Sequence, residues 1–278
     1  MPTTPDRAAA FRSLHGSRDG ETFVLPNAWD AMSARIIEHA GARAIATTSA
    51  GVSWALGRPD GQSLTRTEML AAVRRIVQTV QVPVTADVEG GYGAGTPDDV
   101  AETVREVVSA GAVGINLEDG PGRRGTPLLE PEEQQARIAA ARGAGSEAGL
   151  FINARVDVYL RGVGVESGRF DETVRRARAY VAAGADGIFV PGVVDASTIG
   201  RLATALEVPL NIMARSGAPP VGELARLGVG RVSVGPAITL SVMRSIHQAA
   251  AELLSGGTYD ALADGMSFAE ANGLFATG

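Results

Sequence analysis

Residues 83–90 read PVTADVEG, an apolar run that ends in two carboxylates, Asp87 and Glu89, two positions apart. Side chains alternate faces along a strand, so this spacing puts two like charges side by side. That arrangement is unfavourable unless a cation or water separates them, which leaves a solvated strand end or a cation-binding edge. Other apolar runs end the same way. GINLED closes on Glu118 and Asp119, LFINARVD carries Asn153, Arg155 and Asp157, TFVLPNAWD leads to Asn27 and Asp30, AIATTS leads into Ser49, Ala50 and Gly51, and PLNIMA holds Asn211. If these runs are neighbouring strands, Asp87, Glu89 and Glu118 form a set of hard oxygen donors that suits Mg2+ or Mn2+ rather than zinc. Mg2+ keeps several waters, so some of these acids would act through water. Arg155 suits a carboxylate or phosphonate gripped by two parallel hydrogen bonds, or else an ion pair with Glu118 or Asp157. The backbone N–H groups of Ser49, Ala50 and Gly51 can face an oxyanion, and Asp60, in the stretch that follows, can fold back toward the metal. Tyr92 is the phenol nearest the carboxylates, placed to donate a proton or only to hydrogen-bond. The glycine-rich GPGRRGTPLLEPEE carries Arg123 and Arg124, which can close over an anion.

Absences narrow the chemistry. The chain has no cysteine, which removes disulfides, thiolate nucleophiles and sulfur-ligated metals. It has no lysine either, since all 25 basic residues are arginine, so neither a Schiff-base aldolase nor a lysine-bound pyridoxal phosphate can operate. His15, His39 and His247 all read as partly exposed helix residues. The net charge of −6 is spread along the chain without a basic run or a heptad pattern, which argues against nucleic acid, anionic membrane and coiled coil and in favour of a small-molecule ligand. MPTTPDRAAAFRSLHG lacks an apolar h-region, and no stretch approaches the roughly 20 apolar residues of a membrane span. A cytoplasmic protein is expected.

Something must bring these groups together. With 278 residues, 45% of them hydrophobic, the chain can bury a large core. Eight apolar runs, at 22–28, 44–49, 83–89, 114–119, 150–157, 187–192, 209–214 and 231–236, are each followed by a helical pattern, as parallel strands covered on both faces require. EHAGARAIA, VSAGAVGIN, VAAGADGIF and ARLGVGRVSV place a glycine helix stop before the next run. Eight such units, without the glycine fingerprint of a doubly wound sheet, predict a single-domain (β/α)8 barrel over residues 1–278. Its catalytic groups would then lie at the C-terminal strand ends. The helix ITLSVMRSIHQAAAELL carries an apolar stripe at Ile238, Val242, Ile246, Ala249 and Leu253, and extra short helices follow residue 255.

At these residues the chain resembles the isocitrate lyase and phosphoenolpyruvate mutase superfamily. PNAWDAMSAR, ATTSAG, LGRPDG, TADVEGGYG, GINLEDG, NARVD and PLNIM occur in the family's order across roughly residues 20–250. The resemblance implies Mg2+ held through Asp87 with Asp60, Glu89 and Glu118 in support. It also implies recognition of a 2-oxo acid or its enolate by the Ser49–Gly51 backbone and Arg155, with Asn211 near the substrate. It further implies a dimer or tetramer in which subunits exchange the last barrel helix, so residues 237–278 would serve oligomer contacts. The departures matter as much. The lyase loop with its cysteine acid or base is replaced by PGRRGTP, which also lacks the mutases' lysine and asparagine. Threonines stand where the family has an aromatic residue before Ser49, and the region of Pro191 stands where the lyases have a glutamate. The expected activity is a Mg2+-dependent C–C lyase acting on a small 2-oxo acid. The rivals are P–C chemistry of the phosphonopyruvate mutase or hydrolase type and a non-catalytic ligand-binding barrel.

Overall fold

Pro26 offers no N–H to a ladder, and the first apolar run breaks there into β1 (Phe23–Leu25) and β2 (Asn27–Ala28). The other runs form β3 (Ile45–Thr47), β4 (Val84–Asp87), β5 (Gly114–Glu118), β6 (Phe151–Arg155), β7 (Gly187–Val190), β8 (Leu210–Met213) and β9 (Arg231–Ser233). The computed structural model describes residues 4–15, 22–120 and 128–276. All pairings are parallel, in the order β1-β9-β8-β7-β6-β5-β4-β3-β2. Because β1 and β2 are consecutive in the chain, the sheet curls into a nearly closed barrel of nine strands, or eight if the pair is counted as one. The seam is tied by Asn27, whose Nδ2 donates to Thr47 O at 3.1 Å and whose Oδ1 accepts the N–H groups of Val234 and Gly235 at 3.0 and 2.9 Å. A buried amide with all these partners is a structural tie, so Asn27 is a closure residue as well as part of the rim.

The helices begin and end where side-chain chemistry dictates. Thr65 with Glu68, and Thr96 with Asp99, form reciprocal caps on Arg66–Thr79 and Pro97–Ser109. The predicted stops Gly41, Gly111, Gly184 and Gly228 all adopt left-handed backbone, at φ 98, 92, 110 and 85°. A side chain would be strained there. Several strands end before the apolar runs do, and at one of these boundaries the local structure changes kind. The strand expected to reach Ser49 ends at Thr47, and Ser49–Ala55 is a helix rather than the start of a loop.

The N-terminal helix lies outside the sequence reading. A helix at Thr4–Ser13 closes the lower end of the barrel. Phe11, fully buried, meets Phe23 and Phe151 edge-on at centroid distances of 6.0 and 5.6 Å, and His15 stacks on Phe151 at 4.2 Å. At the other end of the chain, the helix Ala237–Ser255 leaves the barrel after its first turn. Only Thr239 is buried on it, while Leu240, Met243, Ile246, Leu253 and Leu254 face solvent. Of its apolar stripe, Ile238 and Val242 pack against the barrel, whereas Ile246 and Leu253 do not. No helix is long and apolar enough to cross a membrane among the described residues.

Candidate active site

Asp87 ends β4, and its side chain lines a pocket of about 200 Å3 at the C-terminal mouth of the barrel together with Asp60, Ser49, Ala50, Asn116 and Arg155. Glu89 does not lie beside it. The strand has ended, Glu89 turns into left-handed backbone at φ 49°, and its N–H reaches back to Asp87 Oδ1 at 3.3 Å. The alternation that predicted a shared face stops at the last strand residue. The pair has separate positions, with Asp87 in the pocket and Glu89 buried behind it.

Among the described residues, the non-glycine residues with positive φ are Gln62, Glu89 and Tyr92, and they bond to one another. Gln62 N–H donates to Glu89 Oε2 at 2.5 Å, Tyr92 N–H to Gln62 Oε1 at 3.2 Å, and the Tyr92 hydroxyl to Glu89 Oε1 at 3.1 Å. Strained backbone of this kind persists where the surroundings over-determine it, commonly at functional sites. Here the triangle fastens the stretch carrying Asp60 to the loop after β4. Arg137, buried on the helix Pro131–Gly145, adds a bond to Gly90 O from behind. Tyr92, a candidate proton donor, is turned onto Glu89 and does not line the pocket. Burial, then the charges of Asp87 and Asp60, push the Glu89 carboxyl up to about 7. Burial and Asp87 push Asp60 upward as well, opposed by hydrogen bonds from Gly61 and Ser49.

Arg155 closes β6 and makes the ion pairs foreseen as one of its two roles. Nε and Nη2 grip Asp157 at 2.6 and 3.1 Å, Nη1 lies 2.8 Å from Glu118 Oε2, and the guanidinium also forms part of the pocket wall. The two flanking carboxylates outweigh the cost of its burial and hold its pKa above the usual arginine value. Burial pushes Glu118 up and Arg155 opposes that push. Asp119, also buried, accepts the Asp157 N–H at 2.9 Å and the Tyr180 hydroxyl at 2.8 Å, which fixes the turn out of β6.

Below the pocket the barrel is filled by amides. Asn153 Nδ2 donates to Asn116 Oδ1 at 2.8 Å and to Asn211 Oδ1 at 3.1 Å, and Asn211 Nδ2 donates to Ser233 Oγ at 3.0 Å. Asn211, expected near the substrate, is thus one layer down and does not line the pocket, whereas Asn116 does. Sequence reasoning missed Asn116 although a usable signal existed, since it sits two residues before Glu118 on the same strand and so shares its inward face. Gly51 does not line the pocket either. A Cβ there would lie 2.8 Å from Thr239, Thr48 and Trp29 atoms, so this glycine permits close packing. The Ser49 N–H is committed to Asp87 Oδ2 at 3.2 Å, which leaves Ala50 at the N-terminal turn facing the pocket. Leu160, Phe189, Pro191, Met213 and Pro236 form the apolar part of the wall, and Asn27, Thr48 and Ser233 add polar groups to it. Arg123 and Arg124 lie outside the described residues.

Among the described residues no three His, Asp or Glu side chains form a ready-made cage for a metal. The donor set nevertheless fits Mg2+, which takes one or two carboxylates and fills its octahedron with water. Asp87 and Asp60 face the pocket and would supply the direct contact. Glu89 and Glu118, already bonded to Gln62, Tyr92 and Arg155, would act from behind. The accumulated negative charge that raises Asp60 and Glu89 is the charge a divalent cation would offset.

The profile of the phosphoenolpyruvate phosphomutase family matches residues 11–254. The chain is 34% identical over 248 residues to an oxaloacetate decarboxylase of Ectopseudomonas mendocina, covering 86% of this chain and 81% of that one. It is 31% identical over 229 residues to the 2-methylisocitrate lyase of Escherichia coli, covering 80% and 75%. Among solved structures, a phosphonopyruvate hydrolase in complex with oxalate and Mg2+ superposes with a TM-score of 0.84 at 27% identity, covering 96% of this chain and 94% of that one. The chain belongs to the phosphoenolpyruvate mutase family of the isocitrate lyase/phosphoenolpyruvate mutase superfamily, a group of enzymes built on (β/α)8 barrels.

Proposed function

We propose that the protein is a Mg2+-dependent carbon–carbon lyase that cleaves a bond from C3 of a small 2-oxo acid, one carbon removed from the carbonyl, in its simplest form by decarboxylating a 3-carboxy-2-oxo acid. The observation that carries this reading is the convergence of Asp87, Asp60, Arg155 and Asn116 on one small pocket. Cleaving a 2-hydroxy acid requires a base for the hydroxyl proton and an acid for the leaving carbon, and the chain has no cysteine or lysine for either role. Loss of CO2 from a 3-carboxy-2-oxo acid makes no such demand. The electron pair released from C3 moves onto the 2-oxo oxygen as CO2 departs, and C3 then takes a proton from water. The kinship with an oxaloacetate decarboxylase supports the same choice.

The residues divide the work in this scheme. Arg155, held in orientation by Asp157, grips the substrate's 1-carboxylate with the N–H groups it has left. Asp87 and Asp60 hold the cation, which when bound supplies electrophilic stabilisation to the 2-oxo oxygen, worth several kcal/mol. Phe189, Leu160 and Met213 keep the reacting carbon in apolar surroundings. A second reading, P–C bond chemistry, rests on the phosphonopyruvate hydrolase likeness and on Arg161, which shares Asp157 with Arg155 at 3.1 Å and could add a second cation.

A panel of 2-oxo acids with Mg2+ decides between them. Pyruvate and CO2 released from oxaloacetate above the metal-only rate support the lyase. Inorganic phosphate released from phosphonopyruvate supports the alternative. Turnover of neither oxaloacetate nor any other 3-carboxy-2-oxo acid would remove the decarboxylation.

A further inference from the structure

Arg231 has no part in the scheme above, yet it is the largest fully buried side chain of the barrel. It enters from the first residue of β9, above the aromatic floor made by Phe11, His15 and Phe151, and among the described residues no carboxylate lies within ion-pair distance of it. Its side chain makes one hydrogen bond, from Nη2 to Asn116 Oδ1 at 3.3 Å, and Nε and Nη1 have no partner among the described residues. Burial lowers its pKa to about 9, with the charge of Asp87 working against that fall, so it remains a cation at neutral pH. Burying an unpaired cation lowers stability and needs a reason beyond packing.

The reason lies in the amide it touches. A primary amide can turn over, exchanging its oxygen for its NH2 group, with little change in shape. A guanidinium donates only and accepts nothing. The Asn116 atom facing Arg231 must therefore be Oδ1, and Asn153 Nδ2, donating to the same oxygen at 2.8 Å, agrees. Both contacts fall on Oδ1, so Nδ2 is the end turned toward the pocket that Asn116 lines.

We propose that Asn116 is a substrate-binding residue whose NH2 group donates to an oxygen of the bound 2-oxo acid, and that Arg231 is the positioning residue that forbids the flipped amide. The inference rests on the lyase reading for the identity of the ligand but not for the orientation of the amide. The buried arginine thereby keeps a donor, rather than an acceptor, directed at an anionic ligand whose oxygens can only accept.

Oxalate, titrated calorimetrically into protein saturated with Mg2+, is the probe, with thermal stability measured alongside. Asn116→Asp keeps the shape and strengthens the contact to Arg231 into an ion pair, but presents oxygen to the pocket. Its melting temperature should equal or exceed that of the parent, while oxalate affinity falls roughly tenfold to a hundredfold. Arg231→Gln and Arg231→Met permit the flip and should weaken oxalate severalfold. Arg231→Lys, again a donor without an acceptor, should restore affinity to within about a factor of two of the parent. Separate Mg2+ titrations of each variant keep metal affinity out of the comparison. If Asn116→Asp binds oxalate like the parent, or if Arg231→Gln and Arg231→Lys bind alike, the inference is overturned and the lyase reading stands. A parent protein that binds no oxalate with Mg2+ overturns both. If Asn116→Asp does not fold, the Gln and Lys pair at Arg231 decides alone.

Discussion

Arg155 shows why residue type, and not charge alone, matters at this site. Its guanidinium spans Asp157 and Glu118 and still reaches the pocket. Arg155→Lys keeps the charge that offsets the two carboxylates, so the fold should survive, but loses the planar fork. We expect ligand affinity and turnover to fall by at least tenfold with a change in melting temperature of only a few degrees. Unfolding of the variant would instead show that the ion pairs are its whole role. Glu89 gives a prediction of the opposite kind. Its carboxyl titrates near 7 in the fold because of burial and the charges of Asp87 and Asp60, against an ordinary value of 4.5. The native state thus holds a proton that the unfolded chain has released. Stability is greatest below about pH 4.5 and falls as pH rises toward 7, by about 3 kcal/mol for this group, and Asp60 shifts in the same direction. In EDTA the melting temperature should drop between pH 5 and pH 8. Mg2+ should restore more of it at pH 8 than at pH 5, and equal restoration at both would count against the cation sitting among these acids.

At the scale of elements, the N-terminal helix is expected to respond to pH through His15. His15 is pushed down to about 3, by burial first and by the charge of Arg231 next. A depressed histidine contributes stability above its ordinary value of 6.5 that is lost as pH falls toward 3. Residues 4–13 should therefore detach near pH 4 while the barrel persists, a change readable from backbone NMR shifts, and His15→Asn should abolish the pH dependence. This helix was the element hardest to read. It carries almost no amphipathic signal, because among its described side chains only Ala8 and Phe11 enter the core. The barrel was legible because each strand is an apolar run and each helix stop is a glycine whose positive φ leaves little choice of residue. The rim was legible as far as strand alternation holds. Asp87, Arg155 and Glu118 lie on strands and were placed in their neighbourhood, whereas Glu89 and Tyr92 lie past the strand end in left-handed backbone, where a two-residue period predicts nothing. Asn116 followed the rule and was overlooked because its neighbours Glu118 and Asp119 carry the charge. The Asn211 position needed knowledge of depth inside the barrel, which spacing along one strand does not contain.

At the scale of the whole molecule, the outer face of β1 is left uncovered by the described residues. Val24 faces outward from β1 and is 44% exposed, and a groove of about 430 Å3 beside it is lined by Val24, Ile37, Ala42 and Ile238. An eighth barrel helix would cover this surface, but Ala237–Ser255 extends away with its own apolar side chains, including Ile246 at 65% exposure, unburied. Exchange of this helix between two chains would bury both surfaces at once. Light scattering should give at least twice the 28.6 kDa chain mass at micromolar concentration, and Ile246→Glu should lower it. A stable monomer would leave the helix as a free arm. Whether one pocket holds a metal ion and a 2-oxo carboxylate together is decided by calorimetric titration of oxalate with Mg2+ and again in EDTA. Micromolar binding that requires Mg2+ and weakens at least tenfold in Arg155→Lys is expected. Absence of binding, or binding of equal strength in EDTA, would contradict it.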